Sequence, residues 1–142
     1  MASGRAALVE SPLGDLVISQ GADNRFAFIY GTSESDLNPE LEHPDLTSGW
    51  DARAQLRAGR TGPGSELWLS LTTTVVDGTG IVLGDAGQIW VLIDHRETEK
   101  PEWNSESRAR GEWDLELVKP SGEVVRLVMG RVRLSFDVTR HG

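Results

Sequence analysis

Residues 50–74 read WDARAQLRAGRTGPGSELWLSLTTT, and the fold turns on how they are read. Taken singly, Ala52, Arg53, Ala54, Gln55, Leu56 and Arg57 include good helix formers. Their apolar members nevertheless fall on every second position. Trp50, Ala52, Ala54 and Leu56 share one parity, and Asp51, Arg53, Gln55 and Arg57 the other. Side chains alternate across a strand with a period of two, whereas a helix repeats near 3.6 residues. Leu67, Leu69 and Leu71 alternate in the same way with Trp68, Ser70 and Thr72. Between the two runs, residues 58–65 hold three glycines and a proline, which would break a continuous helix. The stretch therefore reads as an antiparallel hairpin with a long Gly-rich loop, its pairing overriding local propensity.

The same pattern recurs outward from this hairpin. Leu16 to Ser19 forms a short first strand, closed by Gln20-Gly21. Phe26, Phe28 and Tyr30 alternate with Arg25, Ala27 and Ile29. Gly31 to Pro44 then reads as a loop carrying Glu34, Asp36, Glu40 and Glu42, with no lysine or arginine. Ile81 to Leu83 lies between glycine turns, and Ile89, Val91 and Ile93 alternate with Trp90, Leu92 and Asp94. Residues 95–111 are polar, with room for one short helix. Trp113, Leu115 and Leu117 alternate with Asp114, Glu116 and Val118, and Lys119-Pro120-Ser121-Gly122 reads as a hairpin turn. In the last run Val125, Leu127 and Met129 share a parity, while Val132, Leu134, Phe136 and Val138 share the opposite one. One extra residue near Gly130, a β-bulge, would bring both sets onto one face; a sheet-switching corner is the alternative. Seven or eight short strands at this spacing predict an all-β fold. The expected form is an antiparallel β-sandwich, immunoglobulin-like or jelly-roll-like, or else a partly open barrel.

Length and charge bound the rest. The 142 residues suit one domain spanning 1–142, with residues 1–14 expected to form an extended N-terminal arm. A net charge of −8 argues against nucleic acid or anionic membranes as general partners. No apolar run approaches the roughly 20 residues of a membrane span, and the first residues lack the apolar core of a secretory signal. Cysteine is absent, which excludes disulfides, thiolate metal sites and a cysteine nucleophile and fits a cytosolic origin.

Chemical motifs are few. Gly78-Thr79-Gly80-Ile81-Val82-Leu83-Gly84 has the glycines of a phosphate loop, but no helix follows to receive an anion. Gly59-Arg60-Thr61-Gly62-Pro63-Gly64 lacks the Gly-Lys-Ser/Thr ending of a P-loop. His43, His95 and His141 read as surface histidines without ligand partners at metal spacing. Glu97, Glu99, Glu102 and Glu106 are interspersed with Arg96, Lys100, Arg108 and Arg110, the mark of a solvated, ion-paired connection. No catalytic constellation, metal or cofactor is expected.

The tryptophans carry the functional reading. Trp50 and Trp113 share parity with core residues, whereas Trp68 and Trp90 sit opposite the leucine and isoleucine faces. Three readings follow: a second small core beneath the 31–44 or 95–111 connection, a subunit contact, or a sugar-stacking platform. The expected interface residues are Trp68, Trp90, Trp103 and Arg108, with Glu34, Asp36, Glu40 and Glu42 of the acidic loop.

Several segments, in order, resemble small β-sandwich minor tail and baseplate proteins of long-tailed bacteriophages, related in pattern to the N-terminal domain of upper baseplate proteins. Asp45-Leu46-Thr47-Ser48-Gly49-Trp50 matches their Asp-Leu-Thr-Gly-aromatic stretch with Ser48 inserted, and Ala52-Arg53-Ala54-Gln55-Leu56-Arg57 follows with Ala54 in place of methionine. Leu69 to Thr73, Gly80 to Gly84, Trp113 to Leu117, Arg126 to Gly130 and Asp137 to Arg140 resemble later segments, so the likeness runs from about residue 15 to 140. The 31–44 and 95–111 connections are longer than in that family. The resemblance implies a structural virion protein of the tail tip or baseplate, oligomeric among other tail proteins and present in host cytoplasm during assembly. It transfers no catalytic residues. A carbohydrate-binding module for the host surface and a capsid decoration or head–tail joining protein are the alternatives.

Overall fold

The computed structural model describes residues 14–33, 42–59, 65–105 and 108–136, together with the backbone of residues 5–8. They form two facing sheets. The first has the order β1 (Arg5–Leu8), β3 (Asn24–Ser33), β7 (Gln88–Ile93), β6 (Gly80–Leu83), all antiparallel. The second has the order β2 (Leu16–Ser19), β9 (Val124–Ser135), β8 (Arg110–Val118), β4 (Asp51–Ala58), β5 (Leu67–Thr72). Its pairs are antiparallel except β2 with β9, which is parallel. With strands lettered in chain order, this is the A–B–E–D sheet of an immunoglobulin-type sandwich facing its G–F–C–C′ sheet, the N-terminal segment being shared between both. Of the two sandwich forms left open by the sequence, the strand orders select the immunoglobulin-like one. Nine strands lie among the described residues, one more than the upper expectation; the addition is β1, inside the stretch read as an extended arm.

The core lies between the sheets. Phe28, Tyr30, Ile89, Val91 and Ile93 point inward from one, and Ile18, Leu56, Trp113, Leu115 and Leu117 from the other. Antibody domains bridge strands B and F with a disulfide. Here the same two strands, β3 and β8, are joined by an aromatic pair: the Phe28 and Trp113 rings lie 5.7 Å apart at 40°. Trp113 Nε1 also donates to the Gly14 carbonyl, fixing the chain that enters β2.

The opening stretch is the expected hairpin. Ala52, Ala54 and Leu56 of β4 are buried, whereas Asp51 and Arg53 are exposed. On β5 the alternation breaks: Leu56 pairs with Leu69 and Arg57 with Leu67, which leaves Trp68 as an extra residue in a bulge. Trp68 therefore turns inward, and Leu67 becomes exposed. A second bulge reconciles the two parities of the last strand, but at Leu127 rather than near Gly130, because Leu115 pairs with Val128 and Glu116 with Arg126. Met129 is thereby left 61% exposed. Gly130 has another role: a Cβ there would run into the Gly14 carbonyl, so its bareness lets residues 14–15 cross β9.

The 31–44 loop is shorter than expected, since β3 runs to Ser33 and Glu42 pairs with Thr32 through two backbone hydrogen bonds. The 95–111 connection holds the expected helix, α1 (His95–Thr98), with Asp94 as its cap accepting from Arg96 N at 2.9 Å. A 3-10 turn over Pro101–Asn104 follows and carries Trp103 inward.

Candidate interaction surfaces

Trp68, Trp103 and Arg108 meet inside the protein rather than on its surface. Trp68 is 5% exposed, Trp103 0% and Arg108 6%, so the expectation that these three face a neighbour is corrected. The cause is local: the bulge swings Trp68 under the 95–111 connection, and the 3-10 turn lowers Trp103 onto it. Their rings meet edge to face at 6.2 Å. The Arg108 guanidinium stacks on Trp103 with Cζ 4.8 Å from the ring centroid, a cation–π contact. Trp103 Nε1 donates to Glu97 Oε2 at 3.0 Å, and Arg108 Nη2 lies 3.9 Å from Glu66 Oε1. This is the small second core that was one of the three sequence readings.

Trp90 lies on the outer face of the four-stranded sheet, as its parity predicted. It pairs with Ala27 on one side and Val82 on the other; Leu92 and Ile29 occupy neighbouring outward positions. Trp90, Leu92 and Ile29 are half-buried, and Ala27 and Val82 are exposed. The polar residues on these outward positions of β3 and β7 are Arg25 and Gln88. The outer face of the other sheet is charged. Acidic residues of β8 lie between basic residues of β4 and β9, with Arg53 bonded to Glu116 at 2.7 Å and Arg126 3.8 Å from Asp114. One sheet thus presents apolar surface outward and the other a charged face, ion-paired at Arg53–Glu116 and Arg126–Asp114.

Of the acidic interface candidates, Glu34, Asp36 and Glu40 lie outside the described residues. Glu42 is exposed at the end of β3.

A further cluster was not legible in the sequence. Asp23, Asp94 and His95 bring one ligand atom each within 4.8 Å of one another. Asp94 is already committed: its carboxylate accepts from Arg96 N, Nε and Nη2, and these bonds hold its pKa down to about 2. The Asp23 carboxylate accepts from the His95 backbone N–H at 2.8 Å. His95 Nδ1 lies 2.9 Å from Glu99 Oε2, and that hydrogen bond raises the imidazole pKa. The arrangement links the 20–23 turn to α1, with Arg96 supplying the positive charge. The 71 residues that separate Asp23 from Asp94 (94 − 23) hide such a cluster from any spacing rule.

No family model matches this sequence, and no curated protein matches it. Among solved structures the chain is similar to the RIG-5 IG1 homodimer, with 16% identity over 94% of this chain and 98% of that one, at a TM-score of 0.42. It is also similar to a mutant of the SrpA adhesin from Streptococcus sanguinis, with 13% identity over 96% of this chain and 60% of that one, at a TM-score of 0.43. The chain is an immunoglobulin-type β-sandwich, and that assignment stands on the strand orders.

Proposed function

We propose that this chain is a structural virion protein of a bacteriophage tail, at the tip or baseplate, and that it docks neighbouring tail subunits through the sheet face around Trp90. The phage context rests on the ordered sequence resemblance between residues 15 and 140. The observation that carries the docking surface is the contrast between the two outer faces: Trp90, Leu92, Ile29 and Val82 form an apolar row on one, whereas the other is charged. Contiguous outward apolar surface of this kind marks interaction sites, and tryptophan is favoured at their centres. Repetition around a symmetric assembly multiplies modest contacts through avidity.

Two measurements test this. Immunogold labelling of virions should place the protein at the distal tail; label on the head would move it to capsid decoration or joining. Trp90→Ala should weaken assembly with other tail proteins while lowering stability by no more than about 1 kcal/mol, as expected of a residue outside the core. Trp68→Ala is the contrast, because emptying a buried tryptophan site costs about 3–5 kcal/mol. Unchanged assembly in Trp90→Ala would refute the surface. Saturable quenching of tryptophan fluorescence by a cell-wall glycan, lost in Trp90→Ala, would assign the face to the carbohydrate-binding alternative.

A further inference from the structure

On the five-stranded sheet, at the end remote from the 119–123 turn, the register sets Arg110 of β8 directly opposite Arg133 of β9. Residues opposed in this way have Cβ atoms about 4.5–5.5 Å apart, and like charges there are destabilising. Arg131 points to the same side two residues along β9, about 6.7 Å from Arg133 by the strand rise. All three side chains are exposed, and none forms an ion pair with a described residue. This positive corner belongs to a protein whose net charge is −8.

The three arginines line one depression of about 290 Å³, together with Asp15, Val17 and Gly111. That volume is at the lower end for small-molecule sites. Asp15 is the one carboxylate in the lining, and its Oδ1 is occupied by the Arg131 backbone N–H at 2.9 Å. Glu112, opposite Arg131 in the register, lies outside the lining. With Glu112 at its rim, three guanidiniums face two carboxylates, Asp15 and Glu112, and the corner stays net positive. Guanidiniums present flat forks of N–H donors that match the oxygens of a phosphate or carboxylate.

We propose that this pocket binds an oxyanion of the phosphate class, held between the forks of Arg110 and Arg133 with Arg131 as the third donor. Two charges on the anion offset the Arg110–Arg133 opposition better than one, which favours phosphate over a monocarboxylate. The ligand is the free ion or the headgroup of a small phosphate ester. The site lies on the sheet opposite Trp90, so its fate is independent of the docking surface.

The test follows the arginine Nε–Hε resonances by NMR while inorganic phosphate or glycerol 1-phosphate is added, with sodium chloride at matched ionic strength as the reference. Saturable shifts confined to Arg110, Arg131 and Arg133 are expected. Arg110→Gln and Arg133→Gln should each weaken binding about tenfold or more, as loss of charge-assisted hydrogen bonds predicts. Arg25→Gln, on the other sheet, should bind as the parent does. In chloride both pocket variants should melt no lower than the parent, because the like-charge opposition is gone; this also shows that they fold. Tighter binding of the ester assigns the rest of the pocket to its organic portion, and equal or weaker binding assigns the site to the free ion. A phosphate response that matches chloride, or undiminished affinity in both pocket variants, overturns the proposal.

Discussion

The Phe28–Trp113 pair joins the two sheets, and its contribution can be isolated. Both side chains are 1% exposed, with ring centroids 5.7 Å apart in a tilted geometry. Such pairs contribute about 0.5–1.5 kcal/mol beyond the area they bury. Truncating Phe28 to alanine would mix that coupling with a cavity cost of about 3–5 kcal/mol, a large share of the ~5–15 kcal/mol that holds a domain together. Leucine keeps most of the volume, so the informative set is Phe28→Leu, Trp113→Leu and the double variant. Trp113→Leu also strands the Gly14 carbonyl at a cost of about 1 kcal/mol, but this term appears in both the single and the double variant and cancels from the cycle. Urea unfolding followed by far-UV circular dichroism, fitted with a common slope, gives the four stabilities. The double variant should be more stable than the sum of the single losses predicts, by about 0.5–1.5 kcal/mol. Additivity within about 0.3 kcal/mol, the behaviour of independent sites, would refute the idea that these rings act as a cross-link.

Three further outcomes follow from local geometry. Gly111→Ala should cost about 1–3 kcal/mol, because the new Cβ meets the Arg57 carbonyl and lies 2.7 Å from Trp68 Cη2; an unchanged urea midpoint would show that the bulged hairpin can shift aside. The Asp94 carboxyl should titrate near pH 2 by NMR, and Arg96→Gln should return it toward the ordinary value of about 3.9. Since its folded pKa is depressed, this contribution to stability is present above the unfolded pKa and is lost as pH falls through about 2. His95 runs the other way: its raised pKa makes its contribution complete below 6.5 and lost as pH rises through the folded value.

What the sequence revealed follows from how local its causes are. Ala52, Ala54 and Leu56, or Ile89, Val91 and Ile93, sit in regular pairs, and there parity alone names the buried side. Parity also placed Trp90 on the outer face. It failed at Trp68 because one unpaired residue inverts every inference beyond it, and the sequence LWLSL gives no glycine or proline to mark that residue. On β9 the reversal was visible, but it was placed near Gly130, where a glycine is needed for another reason, the crossing of residues 14–15. The facing of Arg110 and Arg133 comes from strand register over 23 residues. Nothing in the local sequence around either arginine marks it.

The bulge at Trp68 has a consequence for how this protein behaves at high concentration. Leu67–Thr72, LWLSLT, is uncharged and free of proline and glycine, and it forms the outermost strand of its sheet. A flat segment of that composition on an open edge is a template for cross-β stacking into fibrils. The extra residue kinks the edge and buries the indole that would otherwise be one of its stickiest side chains. The other ends of the two sheets for which side chains are described, β2 and β6, are only four residues long. Strand irregularity and shortness therefore blunt these edges, and a change that regularised β5 is expected to raise amyloid propensity even if the folded domain became more stable.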